Sequence, residues 1–386
     1  MVKKTICVFI GSRANYSSIK SALIAIQNHP GLELKIVLGG SALVKKYGNL
    51  EKILEKDGFQ VDERIQMLVE GDVPSVMVKT AALGMLGLAD AFERVKPDYV
   101  IVIGDRYEVI APTIAAAYMN IPVAHTMGGE VTGTIDESIR HAITKFAHIH
   151  FPANKESGER IIKMGERKDR VFVVGCPRID TVKSIIDADP GVPEDIFEKC
   201  GGVGPAFDLH QSFLLVSQHP VTTEYEDAEK QINETIYAAV EVGIPIILLW
   251  PNSDAGTEGI SQGIRKFREK YPDIKLHAFL NLPIDIYVRL MNNTACLIGN
   301  SSSGIREGAF LGTPCVNVGT RQAGRERGSN VIDVACNRAE ILQAVKKQIA
   351  HGKYASEPIY GNGNAGEKIA DILYRTEVEV QKRITY

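Results

Sequence analysis

Short runs rich in Val and Ile, each followed by a polar cluster and then by a stretch of helical periodicity, recur along this chain in two successive series. Apolar runs of this length, bounded by turn residues, suit parallel strands buried on both faces. In the first series, residues 5–10, 34–38, 99–103, 123–126, 148–151 and 171–174 are predicted strands, with helices over 17–28, 79–95 and 139–147. The second series has predicted strands at 212–217, 244–250, 275–278, 295–298 and 315–318. Between them, 186–210 carries the breaker clusters Asp-Pro-Gly-Val-Pro and Gly-Gly-Val-Gly-Pro. Alternating β and α elements in two blocks predict an α/β protein of two Rossmann-like, doubly wound domains. The 386 residues suffice for two cores.

Ligands of doubly wound sheets lie at the carboxyl ends of the strands. The polar clusters Gly11-Ser-Arg13, Gly104-Asp-Arg106, His125, Gln218-His219, Asn252 and 300–303 all occupy such ends. An enzyme with its site between two domains is therefore expected. Hydrophobic content of 45% and charged content of 24% are ordinary for a soluble enzyme. A net charge of −3 offers no electrostatic attraction to nucleic acid or to an anionic membrane. The six cysteines form no C-x-x-C pair, and several sit in strand-like runs, so reduced thiols and a cytoplasmic setting are expected. The N-terminus enters a strand at once, leaving no room for a signal peptide, and no apolar run reads as long enough to span a bilayer.

The most informative stretch runs from Asn300 to Gly328. A tight turn over 300–304 precedes a short predicted helix, 305–311, closed by Gly312 and Pro314. A Ser- and Gly-rich helix start points backbone N–H groups forward, a ready phosphate site through Ser301, Ser302 and Gly304. Glu307, one turn on, can accept from a sugar diol. The bland alternative is a capped turn with a solvated Glu. Arg13 beside a helix start suits an anion or is an exposed neighbour of a cap. Asp105 and Arg106 form a loop ion pair or a catalytic acid with its holder. Glu130, Asp136 and Glu137 crowd carboxylates around a helix start, with Arg140 three positions on, either to cap it or to split pKa values for acid–base work. His219 ends a strand on the same active edge, as do Asn252 and Asp254, while Arg321, Arg325 and Arg327 add positive charge near the Ser301 turn. There is no G-x-G-x-x-G in the loop after the first strand, no Walker loop, no H-E-x-x-H and no His/Cys spacing for a metal site.

The segments Gly104-Asp-Arg106, the run from Gly128 to Lys145, Gln218-His-Pro-Val-Thr-Thr223, Pro251-Asn-x-Asp-Ala-Gly256, Gly299-Asn-Ser-Ser302 and Gly319-Thr-Arg-Gln-x-Gly-Arg-Glu326 together carry a resemblance. Over nearly the whole chain it resembles the hydrolysing UDP-N-acetylglucosamine 2-epimerases of sialic-acid biosynthesis and their legionaminic-type relatives. The resemblance implies the two-Rossmann GT-B architecture, with domains at 1–185 and 186–365. A final segment, 366–386, would return its helix to the first domain. It implies elimination of the nucleotide from C1 as a base takes the C2 proton, then hydration of the 2-acetamidoglycal with inverted C2. No metal and no cofactor is called for. The implied partners are a UDP- or GDP-linked amino sugar and further copies of the chain in a homodimer or homotetramer, with an apolar helix such as 81–91 as interface; neither nucleic acid nor membrane is implied. Matched by motif, Arg13, Ser17, Arg106, His219, Asn252, Ser301, Ser302, Glu307 and Arg321 fall on nucleotide-binding positions. Tyr287 falls near the uracil, and Asp105, Asp136, Glu137, Arg140 and His219 on the catalytic set.

Two departures stand out. Met127 occupies a position where the animal enzyme and non-hydrolysing relatives have Glu, and a thioether carries no proton; Glu130, Asp136 or Asp105 would then cover that transfer, or the substrate would differ. Asn15 replaces the family's Asp, which reads as a mark of another sugar preference. A regulatory CMP-sugar site, which would fall around Gln262 and Arg265, lacks one matching Arg and is not expected. The competing readings are a non-hydrolysing epimerase, a GT-B glycosyltransferase and a non-catalytic nucleotide-sugar sensor.

Overall fold

The computed structural model describes residues 3–44, 50–70, 74–131, 135–221, 224–251, 256–280 and 282–385. It divides into two compact units. The first comprises Met1–Glu130, Ile135–Thr181 and Tyr360–Tyr386, and the second Val182–Ile359 with Val131.

The first unit holds a six-stranded sheet of β1 (Lys4–Ile10), β2 (Leu32–Leu38), β3 (Glu63–Arg64), β4 (Tyr99–Ile103), β5 (Val123–Thr126) and β6 (Ile149–Phe151), in the order β3-β2-β1-β4-β5-β6. Every pairing is parallel, and Ile6 stands opposite both Leu34 and Tyr99. The second unit repeats the plan with β7 (Leu214–Ser217), β8 (Ile246–Leu249), β9 (Leu276–Phe279), β10 (Cys296–Gly299), β11 (Cys315–Val318) and β12 (Val331–Val334). Its order, β12-β11-β10-β7-β8-β9, is the same winding read from the other edge, again all parallel. Both are therefore doubly wound sheets whose chain direction reverses between two central strands, β1/β4 and β7/β10. Those strands are the ones covered on both faces: Ile6 to Ile10, all of β4, β7 and β10 are buried. Their unbroken apolar runs follow from that double cover.

The outer elements depart from expectation. Residues 171–174 form no strand; Val171 makes a single bridge to His150. Two unexpected edge strands appear: β3, only two residues long, and β12, which is partly exposed along its length. Helices start earlier than their apolar periodicity does, at Arg13, Ile135 and Ser302, because their first turns are polar. The helix Pro74–Val95 also overturns the expectation about apolar length. Its Ser75–Val95 stretch is long and apolar enough, by length and composition, to cross a membrane. In the structure it packs on the helix Ile110–Tyr118 while leaving Val78, Leu83 and Leu86 exposed.

The end of the chain completes the first unit. The helix Ala365–Arg375 packs on the helix Arg13–Asn28. Contact is close enough that a Cβ on Gly366 would lie 2.6 Å from the Ser21 carbonyl. Asp180 seals the joint, accepting from Ala365 N (3.0 Å), Gly366 N (2.7 Å) and Ser21 Oγ (2.8 Å). All six cysteines are free thiols, and burial pushes Cys315 up to about 12, which leaves it unreactive.

Candidate functional site

In the first unit the candidate residues gather at the carboxyl ends of β1, β4 and β5. Asp105 leaves β4 and forms an ion pair with Arg140, whose side chain is only 1% exposed while that of Asp105 is 25% exposed. Arg140 Nη1 also donates to the Glu130 carbonyl oxygen at 2.6 Å. One buried guanidinium thus ties together the β4 loop, the Glu130 loop and the helix Ile135–Phe146. Glu130 is itself buried. Asp136 and Glu137 occupy the first turn of that helix, where carboxylates complement its dipole. Glu137 Oε1 lies 3.6 Å from His141 Nε2.

The β1/β4 switch point is closed by an amide. Asn15 Oδ1 accepts from Gly11 N at 3.2 Å, and Asn15 Nδ2 donates to the Ile103 carbonyl at 3.3 Å. This buried side chain thereby ties the end of β1 to the end of β4 through backbone. Ser12 caps the helix that begins at Arg13 by accepting from Asn15 N. Ser17 Oγ accepts from Arg178 Nη1 at 2.8 Å, which adds a cation that sequence reasoning missed. Arg106 Nε donates to Glu108 Oε1 at 2.7 Å, and Glu108, buried under Gly11, was missed as well.

His125 is fully buried. Burial holds its imidazole down at about 3, against a 2.8 Å bond from Nε2 to the Gly104 carbonyl. It is therefore a neutral structural group with Nδ1 facing Thr144 Oγ1 at 3.3 Å. Met127 is buried in a left-handed conformation (φ 58°). Its Cε lies 3.7 Å from where a Cβ on Gly104 would stand, and its sulfur accepts from Cys176 Sγ at 3.8 Å. The thioether therefore borders the residue preceding Asp105.

The far end of the helix Ile135–Phe146 is held by Lys382, which donates to the carbonyls of Ala147 (2.6 Å), Lys145 (2.7 Å) and Thr144 (3.2 Å). Lys382 also pairs with buried Glu166 at 2.6 Å, as does Lys145, and His150 Nε2 lies 3.2 Å from the same carboxylate. Burial alone would raise Glu166; the bonds from His150, Lys145 and Lys382 outweigh it and bring the carboxyl to about 2.

The second unit has its own closed switch point at β7/β10. Asn300 Oδ1 accepts from His219 N at 2.7 Å, and its Nδ2 donates to the His219 carbonyl at 2.8 Å. The Asn300 carbonyl in turn accepts from Arg321 Nη1 (3.2 Å) and Gln322 Nε2 (2.9 Å). His219, Ser301 and Arg321 are thereby drawn to one point. Burial, then the Arg321 charge, depress the His219 imidazole to about 3. It is neutral at ordinary pH.

Ser301 caps the helix Ser302–Leu311, and Gly312 closes it in a left-handed conformation. Gly304 serves close packing: a Cβ there would lie 2.5 Å from Cys315 Sγ. Glu307 is buried within this helix. Tyr287 places its hydroxyl 2.5 Å from Ser303 Oγ, behind the turn. Arg327 bonds to the Gln322 and Arg325 carbonyls and pairs with Asp333, so it holds the loop in shape. Asn252 and Asp254 lie outside the described residues. Among the described residues, no group of three or more His, Cys, Asp or Glu is arranged to hold a metal ion.

A family model described as UDP-N-acetylglucosamine 2-epimerase matches residues 24–374. A hydrolysing UDP-N,N'-diacetylbacillosamine 2-epimerase of Legionella pneumophila is 35% identical, over 97% of this chain and 96% of its own. A hydrolysing GDP/UDP-N,N'-diacetylbacillosamine 2-epimerase of Campylobacter jejuni is 33% identical, over 90% and 88%. The fold is similar to that of the UDP-GlcNAc 2-epimerase from Neisseria meningitidis bound to UDP-GlcNAc, with TM-score 0.79 and 18% identity over 97% of this chain and 100% of that one.

Proposed function

This chain belongs to the UDP-N-acetylglucosamine 2-epimerase family, and on that premise we propose that it is a hydrolysing nucleotide-sugar 2-epimerase. Its second unit would hold the nucleoside diphosphate and its first unit would supply the acid–base groups. The observation that carries this reading is the Asp105–Arg140 pair: a carboxylate fixed by a buried cation, yet a quarter open, at the carboxyl end of a central strand.

In the proposed reaction a base removes the proton at C2 and the C1–O bond breaks, its electron pair leaving with the nucleoside diphosphate. The resulting 2-acetamidoglycal gains hydroxide at C1 and a proton at C2 on the opposite face, giving the free manno-configured sugar. Asp105, Glu130, Asp136 and Glu137 are the proton-transfer set, and Arg140 orients Asp105. Met127 carries no proton, so its neighbours Asp105 and Glu130 take that step. Arg13, Arg106, Arg321 and the start of the helix Ser302–Leu311 receive the leaving charge. Glu307 takes the ribose diol, and neutral His219 donates or accepts without changing charge. The substrate class is an N-acetylated amino sugar on UDP or GDP; the diacetamido sugars named in the Legionella and Campylobacter relatives support a 2,4-diacetamido-trideoxy form beside N-acetylglucosamine. We also infer a cytoplasmic homo-oligomer joined through the helix Pro74–Val95, whose exposed Val78, Leu83 and Leu86 support it; light scattering showing a monomer would refute the oligomer.

The test is incubation with both sugars on both nucleotides in deuterated water. Phosphorus NMR should show free nucleoside diphosphate, and the released sugar should carry deuterium at C2. Nucleotide that stays attached would establish a non-hydrolysing epimerase instead. Turnover only with an added acceptor would establish a glycosyltransferase.

A further inference from the structure

Three hydroxyls stand in line behind the turn that opens the helix Ser302–Leu311. Tyr287 Oη lies 2.5 Å from Ser303 Oγ, and Ser303 Oγ lies 2.8 Å from Ser301 Oγ. Tyr287 and Ser303 are buried, with the tyrosine ring in the apolar core of the second unit, whereas Ser301 is half-buried. We propose that Tyr287 and Ser303 form a one-way hydroxyl relay that locks Ser301 as a hydrogen-bond donor to the diphosphate of the nucleotide. The proposal rests on the reading of this turn as the diphosphate site.

The proposed direction runs from Tyr287 through Ser303 to Ser301. In the proposed relay the phenol, the stronger acid, donates to Ser303 Oγ. Ser303 then has one hydrogen, and Ser301 Oγ is the acceptor in reach. Ser301 Oγ also caps the helix by accepting from Ser303 N, at 3.4 Å. Its two lone pairs are then both engaged, and its own hydrogen is what remains to be given. A diphosphate offers only acceptors, so a hydroxyl free to rotate spends part of its time presenting a lone pair to an anion. The relay removes that orientation before the ligand arrives, which is preorganisation. It also moves Tyr287 from the expected contact with uracil to a positioning residue acting through Ser303 and Ser301.

The test is calorimetric titration of the full chain with UDP, with GDP alongside and uridine as the phosphate-free control. The proteins are wild type, Tyr287→Phe, Ser303→Ala and the double variant. Removing one hydrogen bond of a relay should weaken UDP or GDP about three- to tenfold in each single variant. The double variant should be no weaker than the worse single, since both act on one chain of bonds. Uridine binding should not change. Tyr287→Phe keeps the ring in the core, so it carries the test if Ser303→Ala fails to fold. Unchanged diphosphate binding in Tyr287→Phe would overturn the relay, as would additive losses, or equal losses for UDP and uridine, which mark a merely structural effect. Wild type that binds neither UDP nor GDP would overturn the diphosphate site itself, and the relay with it.

Discussion

Replacing Asp105 by Asn should cost more stability than replacing both Asp105 and Arg140. The guanidinium of Arg140 is almost completely shielded, and its partners include the Asp105 carboxylate and the Glu130 carbonyl. Asp105→Asn keeps the shape and removes a compensating charge from the buried Arg140 cation, and breaking such a pair costs roughly 3–5 kcal/mol. Arg140→Met leaves Asp105 with a quarter of its side chain in water to hydrate it. That loss is nearer the cost of unmade hydrogen bonds, about 1–3 kcal/mol. With both changes the Arg140 cation and its Asp105 partner are removed together, so the double variant should be more stable than Asp105→Asn alone. The assay is urea unfolding followed by far-UV circular dichroism. With a slope of about 2 kcal/mol per molar urea, Asp105→Asn should lower the midpoint by about 2 M. Trp250 is the only tryptophan and lies in the second unit, so the loss should appear in the dichroism before any change in its fluorescence. Additive penalties in the double variant, or a cost below about 1 kcal/mol for Asp105→Asn, would refute the uncompensated-charge reasoning. Turnover should be lost in Asp105→Asn in either case.

Acid sensitivity should set in above the carboxylate range. His125 and His219 titrate at about 3 in the folded chain, so between pH 6.5 and 3 the unfolded chain binds protons that the folded one refuses. Stability should therefore fall as pH drops from 6.5, and a urea midpoint that is flat between pH 6.5 and 5 would contradict this. Gly304→Ala forces a methyl against Cys315 Sγ and should cost about 1–3 kcal/mol, with weaker UDP binding; an unchanged melting temperature would show that the helix shifts freely. Lys382→Met removes the carbonyl ligand at the end of the helix Ile135–Phe146. Amide exchange in its last turn should accelerate, and unaltered protection would mean that Lys382 does not anchor it.

The central strands were legible because double burial writes itself as an unbroken apolar run, as in Tyr99–Ile103. The edge strands β6 and β9 are buried and were legible too, whereas Glu63–Arg64 is only two residues long and Val331–Val334 is partly exposed along its length, so neither carries that signature. Residues at strand ends could be nominated from sequence, since polar clusters there mark the active edge. Their partners could not. Arg140 reaches Asp105 only once β4 and the helix Ile135–Phe146 are side by side, and Arg178 reaches Ser17 from another helix. Asn15 and Asn300 are less legible still, because an amide that bonds to backbone leaves no complementary side chain to find. Tyr287 could be nominated by motif, but the bond of its hydroxyl to Ser303 could not be read from the sequence.

The return of residues 360–385 to the first unit has a consequence for synthesis. Translation is vectorial, so β1 and the helix Arg13–Asn28 leave the ribosome long before Ala365–Arg375, the helix that covers them, exists. Residues 182–359 carry all six strands of the other sheet and are made without interruption. The half begun first is thus the half completed last, and its uncovered face must be kept from aggregating while the nascent chain grows.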